Sequence, residues 1–257
     1  PTGSTATASS DYTAASGTLS FSPGDTSKTF TVAVLADTVY ETGNETVKIN
    51  LSNATNATIS DATGILTITD DDNAPTVTLT SSASSVAENG SDLTLTATLS
   101  NATTADVSVA ISTSGTGTEG SGGDYATVSD ITISAGSTTG TAAFNPTDDS
   151  VYEGDETGII AIDTVSGGGA TENSTPQAVT LTISENESAP TVSLSSTATT
   201  VYDNGSNITF TATSTVAADE DITVAISDHT GTATPGTDFA AITSITISAG
   251  QTEGTAT

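Results

Sequence analysis

The chain has 257 residues, with 31 Asp plus Glu set against two lysines, Lys28 and Lys48, and no arginine, giving a formal charge of −29. That balance argues against nucleic acid and anionic membrane surfaces as partners, because both are bound chiefly through clustered Lys and Arg, and it makes cations the natural counterpart. Cysteine, methionine and tryptophan are absent, so there is no disulfide framework and no thiolate metal site, and any metal staple must use oxygen ligands. No apolar run approaches the ~20 residues of a transmembrane helix, so direct membrane insertion is not expected. The start at Pro1 without Met reads as a fragment.

Taken in chain order, the first landmarks are "SSDYTAASGTLSFSPG" with Asp11, "ADTVYETGNET" with Asp37, Tyr40 and Glu41, and the acidic run "TDDDNAPTV" from Thr69 to Val77. From Asn73 the pattern alternates with period two: "TVTLT" (76–80), "DLTLTATL" (92–99), "VSVAIS" (107–112), "ITIS" (131–134), "TAAF" (141–144), "GIIAI" (158–162) and "AVTLTI" (178–183). Thr, Val and Ile favour strands, and helical periodicity is seen nowhere. "NAPTVTLTSSASSVAENGSDLTLTATL" from Asn73 then returns as "SAPTVSLSSTATTVYDNGSNITFTAT" from Ser188, 115 residues on. Asp11, Asp124 and Asp238 precede an aromatic at equivalent points, and Asp37, Tyr40 and Glu41 correspond to Asp149, Tyr152 and Glu153.

The chain is therefore a tandem array. Residues 1–72 are the rear part of a first repeat, 73–187 a complete second repeat, and 188–257 the front part of a third. Seven short strands separated by Gly, Asn, Ser and Asp turns predict an all-β chain of tandem immunoglobulin-like antiparallel β-sandwich domains arranged end to end, with a closed barrel as the alternative.

Strand parity gathers the acids. If each strand reverses direction, the connections after the first, third and fifth strands share one pole with the exit of the seventh. Glu88 lies in the first of these, Asp124 in the second, Asp148, Asp149, Glu153, Asp155 and Glu156 in the third, and Glu185 and Glu187 at the exit. The opposite pole carries only Asp106 and Glu172. Packing so many carboxylates into one end raises their pKa values by mutual repulsion unless a cation intervenes. Ca²⁺ takes six to eight oxygens in irregular geometry and fits this donor set better than zinc, which favours Cys and His.

The elbow of Asp149, Tyr152 and Glu153 followed by "GDET", the upstream "VAENG" and "DY", and the acidic run after "LTIT" resemble Calx-beta domains, calcium-binding immunoglobulin-like modules of sodium/calcium exchangers, integrin β4 and large bacterial surface proteins. The resemblance implies calcium ligands at Glu88, Asp124, Asp149, Glu153 and Glu156, with Asp148 nearby and a terminal acidic pair at Glu185 and Glu187. In the first repeat the matching positions are Asp11, Asp37, Glu41, Glu45, Asp70 and Asp72, and Asp71 is expected to be dispensable because Asn186 replaces it. In the third they are Asp203 and Asp238, with the elbow expected beyond Thr257. Asp219, Glu220 and Asp221 lie at the leading end of the third repeat, where they would face the acidic pole of the second.

No Ser/His/Asp set, phosphate-cradling loop or carboxylate pair in a cleft points to an enzyme. Tyr12, Tyr40, Tyr125, Tyr152 and Phe239 read as core plugs, and His229 as solvent-exposed. The expected function is that of calcium-binding structural extender repeats in a secreted or cell-surface adhesin or matrix protein, with Ca²⁺ stiffening the junctions between neighbouring repeats. Two alternatives are a self-assembling extracellular filament, in which other copies of the chain supply strands, and a calcium-sensor module.

Overall fold

The computed structural model describes residues 3–173, 177–203, 206–227 and 230–257; His229 lies outside them. All regular elements among the described residues are strands, and no helix is long and apolar enough to cross a membrane. The first repeat contributes β1 (Glu45–Asn50) and β2 (Thr63–Ile68), an antiparallel pair in register from Glu45 opposite Ile68 to Asn50 opposite Thr63. Tyr12, Ala6 and Val47 form its small core, with Val32, Ile49, Leu66 and Ile68 packed alongside.

The middle repeat runs through β3 (Thr76–Ser81), β4 (Ser85–Ala87), β5 (Leu93–Leu99), β6 (Val107–Gly115), β7 (Ile131–Ile133), β8 (Thr139–Phe144), β9 (Val151–Tyr152), β10 (Glu156–Ser166), β11 (Thr171–Glu172) and β12 (Ala178–Ser184). One sheet has the order β4-β12-β10-β6-β7 and the other β11-β3-β5-β8. Every inward position of β5 is apolar, Leu93, Leu95, Ala97 and Leu99, while Thr94, Thr96 and Thr98 face outward. Val107 and Val109 of β6, Ile131 and Ile133 of β7, Ile160 and Ile162 of β10, and Leu181 and Ile183 of β12 meet them from the opposing sheet. This is the two-layer packing that alternating strands produce when each sheet hides one face. Tyr125 and Phe144 stack with ring centroids 4.7 Å apart, and Gly158 leaves room for them, since a Cβ there would lie 3.0 Å from the Phe144 ring.

All seven expected strands of this repeat are present, and three short ones join them. The most consequential is β4, which leaves the sheet of β3 and pairs in parallel with β12, Ser85 opposite Thr182 and Ala87 opposite Ser184. The strand expected at 158–162 extends over Glu156–Ser166, so Glu156 is the first residue of β10, opposite Ile183, rather than part of the preceding loop. Pairing with both β12 and β6 holds the added residues in the sheet.

The third repeat has β13 (Val192–Ser196), β14 (Phe210–Ser214), β15 (Ala217–Ala218), β16 (Ile222–Ala225), β17 (Ser244–Ile247) and β18 (Glu253–Ala256). The sheet β13-β14-β18 repeats the β3-β5-β8 arrangement, and β16 pairs with β17 as β6 does with β7. Ala212, Ile245 and Ile247 form its core.

Candidate metal site

The site of the middle repeat is built by strand ends. Because β4 runs parallel to β12, the residue after β4 meets the residues after β12: the Glu88 N–H donates to the Ser184 carbonyl at 3.2 Å. Carboxylate oxygens of Glu88, Glu185 and Glu187 consequently lie within 4.8 Å of one another. A second group, Asp124, Glu153 and Glu156, is equally close. Asp124 is fixed by a tight loop in which its Oδ2 accepts the Thr118 N–H at 2.5 Å, while the neighbouring Tyr125 is buried as a core anchor. Glu156 opens β10, and Glu153 follows β9 on the elbow.

The elbow is tied to the segment leaving β12. Glu185 Oε2 accepts the N–H groups of Glu153 at 2.5 Å and Gly154 at 2.9 Å, and Asp155 Oδ1 accepts the Glu185 N–H at 3.1 Å. Asn186 Nδ2 donates to Asp148 Oδ1 at 2.7 Å, and Asp149 Oδ1 accepts the Val151 N–H at 2.7 Å. Glu185 and Asp149 thus already hold backbone donors with some of their oxygens.

Glu88 is 5% exposed, and its Oε2 has no hydrogen-bond partner among the described residues. Burial, then the charges of Glu185, Glu187, Glu153 and Asp149, push its carboxyl up to about 7. Burial and Asp124 likewise raise Glu153 and Glu156, each to about 7. Burial opposes ionisation of Asp124 too, but the Thr118 N–H and hydrogen bonds from Glu156 and Glu153 outweigh it and hold Asp124 below its ordinary value. Glu185 is lowered against its burial by the N–H groups of Glu153, Glu187 and Gly154. A buried carboxylate without a donor is costly, and a divalent cation is the partner that relieves several at once. The donor set consists of oxygens only and has the irregular geometry that Ca²⁺ accepts.

The first repeat reproduces the arrangement. Asp11, Glu41 and Glu45 form one close group, and Asp70, Asp71 and Asp72 another. Asp11 accepts the Thr7 N–H, Asp37 the Val39 N–H at 2.7 Å, and Asp70 Oδ2 the Glu41 N–H at 2.9 Å, the counterpart of the Glu185 bond to Glu153. A cleft of about 310 Å³ is lined by Asp11, Asp37, Glu41, Asp70 and Asp72. Burial, then Asp11 and Glu41, raise Glu45 to about 7, and its Oε2 also lacks a hydrogen-bond partner. In the third repeat Asp238 Oδ2 accepts the Thr234 N–H at 2.7 Å and Asp203 is exposed; neither joins a group of acids among the described residues.

The elbow also makes the joint to the next repeat. Tyr40 bridges to Thr103 in parallel: its N–H donates to the Ala102 carbonyl at 2.8 Å and its carbonyl accepts the Thr104 N–H at 3.3 Å. At the next joint β9 pairs in parallel with β15, Val151 opposite Ala217 and Tyr152 opposite Ala218, and the Tyr152 carbonyl accepts the Asp219 N–H at 3.3 Å. Thr103 and Ala218 are equivalent, as are Thr104 and Asp219, so one joint is built twice. Tyr40 and Tyr152 are therefore half-buried joint residues, rather than core plugs like Tyr12 and Tyr125. Gly169, at φ +65°, lies against the Tyr40 ring, where a Cβ would come within 2.5 Å.

The family model of the Calx-beta domain matches three consecutive segments, residues 2–72, 70–187 and 185–253. The chain belongs to the Calx-beta domain family. Calx-beta domains are associated with calcium binding and occur in extracellular or membrane-associated proteins, and the family is non-enzymatic. A search of curated proteins finds no match to this Calx-beta chain.

Proposed function

We propose that this chain is a run of calcium-binding structural extender repeats in a secreted or cell-surface protein with an adhesive or matrix role. Asp124, Glu153 and Glu156 form one ligand set of the middle repeat, and Glu88, Glu185 and Glu187 a second, with Asp148 and Asp149 at the margin. Asp11, Glu41 and Glu45, together with Asp37, Asp70 and Asp72, serve the first repeat in the same way. The observation that carries the reading is the buried Glu88 carboxylate, unpartnered at Oε2 and surrounded by acids on the elbow and linker.

The chemistry that Ca²⁺ supplies is charge neutralisation together with oxygen coordination. The protein's own residues turn this into stiffness. Glu153 and Glu156 flank the elbow whose Tyr152 is hydrogen-bonded to the next repeat, and Glu185 clamps that elbow to the linker. Pro75 and Pro190 then fix φ just beyond the acidic run. With the carboxylates neutralised, elbow, linker and neighbouring repeat move together; with bare charges they repel and the joint loosens.

The test is thermal melting of the whole chain with Ca²⁺ and with chelator, joined to small-angle scattering. Calcium is expected to raise the melting temperature and lengthen the particle, since a ligand at a hundredfold excess over its Kd stabilises by about 2.7 kcal/mol. Melting and length that both ignore calcium would overturn the proposal.

A further inference from the structure

The two joints share a backbone pattern but differ in one side chain. The residue whose N–H donates to the elbow tyrosine carbonyl is Thr104 at the first joint and Asp219 at the second. Asp219 follows β15 directly, and β15 lies in register beside β9, one residue short of Glu153. The backbone of an acidic residue of the third repeat is thereby held beside Glu153, a member of the acidic group of the middle repeat. The residues that follow the paired Tyr152 and Ala218 are Glu153 and Asp219, one acid from each side of the joint.

The two acids beside it are placed differently. Asp221 Oδ1 accepts the Ala249 N–H at 2.8 Å within its own repeat, just as Asp106 Oδ1 accepts that of Ala135. Glu220 is exposed and makes no backbone contact to the elbow among the hydrogen bonds of the described residues. Asp219 is the member of "DED" that the β9-β15 pairing brings to the neighbouring elbow.

An independent feature marks the recipient group as a ligand site. Glu88, nine-tenths buried with Oε2 unpartnered among the described residues, groups with Glu185 and Glu187, and Glu185 Oε2 accepts the Glu153 N–H, so an orphaned carboxylate oxygen adjoins the recipient group through that clamp. The trio itself is half-buried and negatively charged, which a cation satisfies and an additional carboxylate alone would worsen. Placing Asp219 there is unfavourable in the absence of a cation and favourable in its presence.

We propose that Asp219 is a metal ligand supplied across the joint: its carboxylate completes the Asp124, Glu153 and Glu156 site, so one calcium ion is held jointly by the middle and third repeats. This deepens, and rests on, the proposal that the trio binds calcium. The first joint, with Thr104, has no such bridge, and its ion is held by the first repeat alone. Calcium therefore locks the second joint directly and the first only through the elbow, making the array unevenly stiff along its length.

Calorimetric titration of the full chain with Ca²⁺ tests this, using D219N and the converse T104D, both at exposed positions. Each titration is run at low salt and at about 1 M NaCl, where the Debye length is about 3 Å and a merely long-range attraction is screened. Removing a ligand is expected to weaken one class of sites at least roughly tenfold in D219N at both salt concentrations, and T104D is expected to strengthen a site by a similar factor. Wild-type binding with D219N unchanged, or a D219N defect that vanishes at high salt, overturns this inference and leaves the trio as the site. Absence of calcium binding by the wild-type chain overturns both.

Discussion

Replacing Glu88 by Gln separates the apo and calcium-bound energetics of the site. Glu88 is 5% exposed and its carboxyl is raised from 4.5 to about 7 by burial and then by four neighbouring acids. At about 1.4 kcal/mol per pH unit, that difference makes the ionised form at most about 3 kcal/mol less favourable in the folded than in the unfolded chain. The sign follows from proton counts. Between pH 4.5 and 7 the folded state binds more protons at this residue than the unfolded state, so its contribution to stability is intact below 4.5 and is lost as pH rises through 7. E88Q removes that loss. In chelator, denaturant unfolding of E88Q at pH 8 is expected to show a gain of up to about 3 kcal/mol over wild type, and little difference at pH 4.5. In saturating Ca²⁺ the order reverses, because Gln removes a charged ligand. An equal effect at both pH values, or a loss of apo stability at pH 8, would refute the reasoning that Glu88 is a buried unpaired charge waiting for a cation.

Calcium uptake near pH 7 should release protons, since Glu153 and Glu156 each titrate at about 7 in the metal-free chain; calorimetry in buffers of different ionisation enthalpy will show it, with affinity falling as pH drops below 7. Gly169→Val should loosen the first joint alone, because a Cβ there lies 2.5 Å from the Tyr40 ring at a φ of +65°; amide exchange at Tyr40 and Thr104 should speed up while exchange at Asp219 is unchanged. Leu95→Ala, at a fully buried position of β5, should destabilise the middle repeat by about 2–5 kcal/mol with or without calcium, as read by denaturant unfolding. Y40A should shorten the scattering length in Ca²⁺ without altering the number of ions bound, since the Tyr40 ring lies against Gly169 of the middle repeat and is not part of the ligand set.

The sequence by itself determined the β architecture, because a period of two can bury one face of a strand only in a sheet, and Leu93, Leu95, Ala97 and Leu99 leave no doubt which face of β5 is inward. It also determined the repeat, the correspondence of Asp11 with Asp124, and the gathering of acids at one pole, which needs only strand parity. The parallel pairing of β4 with β12 was not legible, because "SVA" is too short to show a period and parallel neighbours are remote in sequence. That pairing is what turns Glu88 from a loop acid into a buried one beside Glu185. Tyr40 and Tyr152 look like any aromatic next to an alternating segment; their place in the joint depends on backbone bonds to Ala102, Thr104 and Asp219, formed only when two folded repeats meet. In "TDDDNAPTV", similarly, sequence comparison placed the charge at Asp70 and Asp72, whereas the tertiary structure made Asp70 an acceptor for the Glu41 N–H as well as a member of the acidic group. Local pattern decides which face a side chain takes; which charges become neighbours is decided by long-range pairing between strands and between repeats.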